Sequence, residues 1–188
     1  MHSSYKAEGI ILKRINFGEA DKILTVLARR YGKIKILGKG VRKLTSRRAP
    51  HLELFNLSRL TLHKGQSFDI VTEAEYISSF IHTKKDLHKL AVVYYISELI
   101  DKLCPEHQEH DDILDAFLKI LNIMNVNDQS LDHKLTAENF TNHILHKLGF
   151  LPKTSYLKDE NLASFLESVT ESKIKTRELL NKIGYNLS

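Results

Sequence analysis

The chain has 188 residues, 42% hydrophobic and 27% charged, which fits one large or two small globular domains and excludes a disordered polymer. A single cysteine, Cys104, excludes an internal disulfide framework, and the longest unbroken apolar run, Leu90 to Ile96, is far too short to span a bilayer. The net charge of +5 is unevenly placed: residues 1–80 hold 15 Lys and Arg against 7 Asp and Glu, whereas residues 81–188 hold 13 against 16, the pattern of a basic functional module joined to a mildly acidic one.

MHSSYKAEG at the N-terminus has no apolar core of the kind a signal peptide needs, so a cytoplasmic location is expected. Strand-like runs follow. Ile10, Ile11, Leu12 and Ile15 form the first, ended by Gly18; Ile23 to Ala28 forms the second and Ile34 to Leu37 the third. Arg30-Tyr31-Gly32-Lys33 between the last two predicts a hairpin turn, with Gly32 able to take positive φ. Leu52, Leu54, Leu57, Leu60 and Leu62 give a long fourth run whose alternation slips near Phe55, as a bulge or sharp bend would make it slip. Phe68, Ile70 and Val71 open a fifth strand reaching Ile77. Five short strands in so few residues predict a closed OB-fold barrel over residues 1–80.

From Asp86 the apolar period turns helical. Leu87, Leu90, Ala91, Tyr94, Leu99 and Leu103 make one helix, ended by Pro105. Asp111 or Asp112 caps a second carrying Ile113, Phe117, Leu118, Leu121 and Met124. Thr136 to Leu148 makes a third with Gly149 as its stop, Asp159 starts a fourth around Leu162, Phe165 and Leu166, and Ile174 to Ile183 makes a fifth stopped by Gly184. The fold class is therefore an all-β barrel followed by an all-α helical bundle over residues 81–188, without an internal repeat.

The stretch GKGVRKLTSRR, Gly38 to Arg48, carries five positive charges in eleven residues and no acid. A P-loop needs G-x-x-x-x-G-K-[ST] opening a helix, so that backbone N–H groups wrap the phosphates. Here the glycines are spaced G-x-G, no Ser or Thr follows a Gly-Lys pair, and Pro50 opposes a helix start. A nucleotide site is excluded, leaving a nucleic-acid backbone clamp or a solvated loop.

Metal chemistry is poorly supported. Cys104, His107, His110, Asp111 and Asp115 are close in sequence and His143 and His146 are one turn apart, but a structural zinc site wants four ligands at tight spacing and one thiolate is on offer. No G-x-S-x-G elbow or other nucleophile motif is present, so no catalytic residue is assigned and the chain is read as a non-enzyme. Tyr94, Tyr95, Phe117 and Phe140 fall at core spacing.

Basic residues recur on the strands: Lys13, Arg14, Arg29, Arg30, Lys33 and Lys35 join the loop's five. An OB barrel binds nucleic acid across its middle strands with loops flanking the groove. The candidate DNA-binding set is Lys13, Arg14, Lys35, Lys39, Arg42, Lys43, Arg47 and Arg48. Phe17, Tyr31, Phe55 and Phe68 are the aromatics to be divided between base stacking and core packing.

Tyr5 to Phe55 also resembles the N-terminal domain of the RecO recombination-mediator family. The matching elements are EGIIL at Glu8–Leu12, FGEADKILT at Phe17–Thr25 and KGVRK-x-x-SR at Lys39–Arg47, continued by LHKG at Leu62–Gly65 and Ala74-Glu75. Asp86-Leu87 and SELID at Ser97–Asp101 are similar to the family's first bundle helix, and LGFLP at Leu148–Pro152 to a later helix end.

The resemblance implies an OB-fold followed by a helical domain, in a protein that works without ATP or another cofactor. It implies binding of single- and double-stranded DNA, annealing of complementary strands and, with RecR, loading of RecA onto DNA coated by single-strand binding protein (SSB) in gap repair. RecF and RecA are implied as indirect partners, no membrane is, and a nucleoid-associated place in the cytoplasm is. Many members carry a four-cysteine zinc module just after L-G-[FY]-x-P. Here KTSYLKDENLASFLESVTESK follows Pro152 without a cysteine, so the module is expected to be lost or shortened and zinc is not carried over. The alternatives are an OB-fold that binds RNA or serves as a protein adaptor without annealing, and a metal-dependent nuclease.

Overall fold

Strand β1 (Ser4–Phe17) serves two neighbours at once, and its sequence bends it to do so. It pairs with β4 (Leu57–His63) from Ser4 to Ile10 and with β2 (Asp21–Ala28) from Gly9 to Phe17. The register slips between Ile11 and Lys13, a bulge that increases the local twist. Gly9 is paired on both sides, and a Cβ there would stand 2.4 Å from the Leu27 carbonyl oxygen. No other residue fits so close a backbone approach. The structure, a computed structural model, describes residues 4–126 and 132–182.

β2 turns into β3 (Gly32–Gly38) through a hairpin in which Arg30 and Gly32 both have positive φ, so the turn expected there is found. β5 (Asp69–Ser78) pairs antiparallel with β4 and parallel with β3 at Ile36 and Leu37. The order β1-β2-β3-β5-β4 closes a five-stranded barrel, consistent with the expected OB-fold. Ile11, Leu24, Val26, Ile34, Ile36, Leu60, Leu62 and Val71 fill it from alternate positions of every strand.

The run from Leu52 to Leu62 is not one bent strand. Ala49–Leu52 is a short 3-10 helix with Pro50 in its first turn, and Phe55 takes a left-handed conformation at φ 62° before β4 begins at Leu57. The Phe55 N–H donates to the Ile11 carbonyl at 2.8 Å, its ring is buried, and the Asn56 amide donates back to the Pro50 carbonyl at 3.0 Å. The slip in apolar phase thus marks a change of element.

The chain forms two units. The first contains Met1–Ser79 and also Pro105–Leu114. In it Glu106 bridges to Lys33 as a parallel neighbour, and the His107 N–H donates to the Lys33 carbonyl at 2.9 Å. This segment lies along the part of β3 that β5 does not reach.

The second unit contains Phe80–Cys104 and Asp115–Ser188. Its helices are α1 (Ile81–Lys85), α2 (Leu87–Leu103), the greater part of α3 (Asp111–Asn125), α4 (His133–Lys147), α5 (Asp159–Thr170) and α6 (Lys175–Lys182). α1 is additional to the helices expected. Asp86 caps α2, its carboxylate accepting from the His88 and Lys89 N–H groups. α4 starts ahead of Thr136 because the Asp132 carboxylate accepts from the Leu135 N–H. Gly149, at φ 78°, ends it as expected, whereas Ile183 and Gly184 lie outside the described residues.

α2 packs against α4 and α6. Tyr95, Phe117 and Phe140 are buried, and Tyr94 is half-buried. Burial pushes the Tyr95 phenol up to about 12, a shift that its hydrogen bond with the Thr141 hydroxyl at 3.1 Å opposes.

Candidate nucleic-acid interface

The segment from Gly38 to Arg48 is an ordered loop with a buried root. Val41 is packed into the barrel core, the Gly40 N–H donates to Asp21 Oδ1 at 2.7 Å, and the Arg42 N–H donates to the Ala20 carbonyl at 2.9 Å. These bonds fix the loop against the turn that joins β1 to β2. Two successive turns shape its tip: the Lys43 N–H donates to the Gly40 carbonyl at 3.1 Å and the Ser46 N–H to the Lys43 carbonyl at 2.9 Å.

The loop's five cations divide into two groups. The Arg48 guanidinium donates to the Val71 carbonyl and, at 2.7 Å, to the Lys39 carbonyl, tying both ends of the loop to β5. Arg42 Nη1 donates to the Gly18 carbonyl at 3.2 Å while its side chain stays exposed. Lys39, Lys43 and Arg47 are exposed and, among the described residues, their side chains make no ion pair or hydrogen bond. With Glu19 and Asp21 across from them, they border an open cleft of about 810 Å³.

Strand alternation separates the neighbours Lys13 and Arg14. Lys13 pairs with Thr25 and Thr25 with Lys35, on the outer side of the barrel. Arg14 pairs with the core residue Leu24 and so turns the other way. It is paired with Glu53 at 2.5 Å and donates weakly to the Leu52 carbonyl at 3.4 Å. Lys35 is exposed but paired with Glu106 at 2.5 Å. Of the wider basic set, Lys33 is buried and Arg29 faces Asp111 at 3.7 Å.

The next cross-strand row outward is apolar: Ile15, Ile23 and Leu37, with Phe17 one step further along β1. Ile15 and Phe17 are about half exposed. Phe17 is therefore not part of the barrel core. Phe55 belongs to the core, and Tyr31 packs on Tyr5 with ring centroids 4.9 Å apart. Tyr5 in turn donates to Asp69 at 2.5 Å; burial and that carboxylate hold its phenol far above the usual range. On the β1-β4-β5 side, Glu8, Arg59 and Glu75 form a mixed row in which Arg59 reaches Glu75 at 3.7 Å and Glu8 at 3.9 Å. The loop thus presents three exposed cations, Lys39, Lys43 and Arg47, without a side-chain partner among the described residues.

The suspected metal ligands do not converge. Among the described residues no group of three or more His, Cys, Asp or Glu side chains is placed to hold an ion. His146 Nε2 lies 2.7 Å from the Ser155 carbonyl, and Cys104 is buried. Two features were not anticipated from the sequence: Glu106 against Lys35, and the exposure of Leu44 at the loop tip. The first is a long-range contact with no local signal, whereas an apolar residue inside a basic turn is visible in the sequence.

The chain that folds in this way matches two family models: Recombination protein O N terminal over residues 1–80 and Recombination protein O C terminal over residues 84–159. The chain belongs to the RecO family. Relatives named DNA repair protein RecO include that of Roseiflexus sp., 34% identical over 79% of this chain and 51% of its own length. That of Symbiobacterium thermophilum is 33% identical over 79% of this chain and 58% of its own length. In Trichodesmium erythraeum the match is 40% identical over 55% of this chain and 36% of the relative. The chain spans about half the length of the curated relatives it matches. Among the described residues no helix is long and apolar enough to cross a membrane.

Proposed function

We propose that this chain binds single- and double-stranded DNA through residues 1–80 and anneals complementary strands. We further propose that with RecR it acts on SSB-coated single strands so that RecA can be loaded, with RecF an indirect partner in the same nucleoid-associated repair. This is mediation by binding and annealing, without a covalent step or a cofactor. The observation that supports it is the division of labour in the loop. Arg48, Val41 and the Gly40 and Arg42 amides hold it still, while Lys39, Lys43 and Arg47 stand exposed with no protein partner among the described residues. A pre-ordered set of cations meets phosphates without first losing loop entropy. Lys13, Arg42 and the apolar row ending at Phe17 extend the same surface.

The test is annealing of SSB-coated complementary strands by the purified protein in the absence of ATP, with a salt titration of single-strand binding. If about five phosphates are neutralised, log K against log[salt] should slope by about −3.5. A slope near zero, or failure to anneal while binding RNA as well as DNA, would reject the reading in favour of an RNA-binding or adaptor module.

A further inference from the structure

Leu44 is the one apolar side chain in the basic loop that the fold does not use. It is fully exposed, whereas the next most exposed large apolar residue among those described, Val126, is at 65%. Lys43 to Ser46 is a hydrogen-bonded turn, with Leu44 as its first central residue. Gly, Pro, Asn, Asp and Ser dominate turn positions because they supply unusual backbone angles or local hydrogen bonds, and a leucine supplies neither. Val41, three residues earlier, shows what an apolar residue does here when it serves the fold: it enters the core. Leu44 points away from the barrel instead, with Arg42, Lys43 and Arg47 as its exposed neighbours in sequence.

We propose that Leu44 is a wedge that inserts against or between the bases of a single strand whose phosphates the surrounding cations hold. The inference rests on the DNA-binding reading above and goes beyond it, because it assigns the loop a contact with bases as well as with backbone. The charge around Leu44 selects the occupant. A lone apolar tip flanked in the sequence by exposed cations suits a polyanion that also offers flat apolar faces, and a nucleic-acid strand is that polymer. Apolar side chains inserted at base steps are an established way to unstack neighbouring bases. The turn bonds at Gly40 and Lys43, and the Arg48 tie to β5, keep the tip from folding back onto the protein. Unstacked bases held on their backbone are the state from which a complementary strand can pair.

The experiment uses the full chain and two probes: an oligothymidylate and an abasic strand of the same length, which carries the phosphates without the bases. Leu44→Ala should bind the oligothymidylate roughly fivefold more weakly, bind the abasic strand as before and leave the salt slope unchanged, since no cation is lost. The chain contains no tryptophan, so Leu44→Trp introduces a single indole whose emission should be quenched by the oligothymidylate and not by the abasic strand. Leu44→Ala binding both probes as the parent does, or losing affinity for both equally, overturns the wedge, as does a Leu44→Trp emission that answers both strands alike. Failure of the unmodified chain to bind either probe overturns the DNA-binding reading itself, and the wedge with it.

Discussion

Lys35 Nζ lies 2.5 Å from the Glu106 carboxylate, so this lysine of the barrel's outer cross-strand row already holds an anion. Both side chains are about two-fifths exposed, at 45% and 39%, and such a surface pair contributes about 1 kcal/mol at most to stability. Its larger effect is competitive: a phosphate can reach Lys35 only when Glu106 lets go. Glu106→Gln should therefore tighten single-strand binding two- to threefold at low salt and steepen the salt slope by about 0.7, with stability changed by less than about 0.5 kcal/mol. Unchanged affinity and slope would place Lys35 outside the DNA path.

The loop's cations should not behave alike. Lys43→Ala and Arg47→Ala remove exposed charges, so each should weaken DNA binding, flatten the salt slope by about 0.7 and leave the melting curve in place. Arg48→Ala removes charge-assisted hydrogen bonds to the Val71 and Lys39 carbonyls and should cost roughly 1.5–3 kcal/mol in urea unfolding. Equal effects of all three substitutions on melting would show that Arg48 is not the loop's tie.

What the sequence reveals about this site depends on how local the cause is. Alternation along a strand is local, and it already implies that Lys13 and Arg14 face opposite ways; treating both as contacts overlooks the period of two. The Gly32 turn is also local, and it is found where the sequence puts it. The bond from Arg48 to Val71 and the pair of Lys35 with Glu106 join residues far apart in the chain, and no spacing rule predicts them. The Leu52–Leu62 run shows the limit from another side. A broken alternation says that something changes near Phe55 without saying whether it is a bulge or the end of a 3-10 helix.

Gly9 is where the bend of β1 can be tested. An alanine Cβ would meet backbone atoms on β2, at 2.4 Å from the Leu27 oxygen and 2.7 Å from the Ala28 Cα, and backbone cannot give way as a side-chain end can. Gly9→Ala should destabilise the barrel by about 1–3 kcal/mol or more, seen as a lower urea midpoint. A midpoint equal to the parent's would mean the strands can part there at no cost.

Glu98 on α2 performs the N-terminal capping of α6 from a different helix. Its carboxylate accepts from the Lys175 N–H at 3.0 Å, the Thr176 N–H at 2.8 Å and the Thr176 hydroxyl at 2.6 Å, with Lys102 Nζ at 3.6 Å. Burial alone would raise its pKa; the Thr176 and Lys175 hydrogen bonds and the Lys102 charge outweigh it, and the carboxyl titrates below its ordinary value of 4.5. A carboxyl held low in the folded state favours folding above its ordinary value, and that stability is lost as the pH falls through the lowered one. Thermal stability should decline gently below about pH 6.5, because burial lowers His110 and His133 and the unfolded chain takes up their protons first. It should therefore fall further as the pH drops below 4.5 and Glu98 is protonated. Glu98→Gln should be less stable by about 2 kcal/mol at pH 7, because the uncharged amide accepts more weakly and loses Lys102. It should also lose less on acidification than the parent, so the two curves converge in acid. Some acid dependence remains in the variant, since Asp86 is likewise lowered: burial opposes it, and the Lys89 and His88 N–H groups prevail. Melting followed by circular dichroism across the pH series decides the matter, and parallel curves for parent and variant would remove Glu98 as the cap of α6.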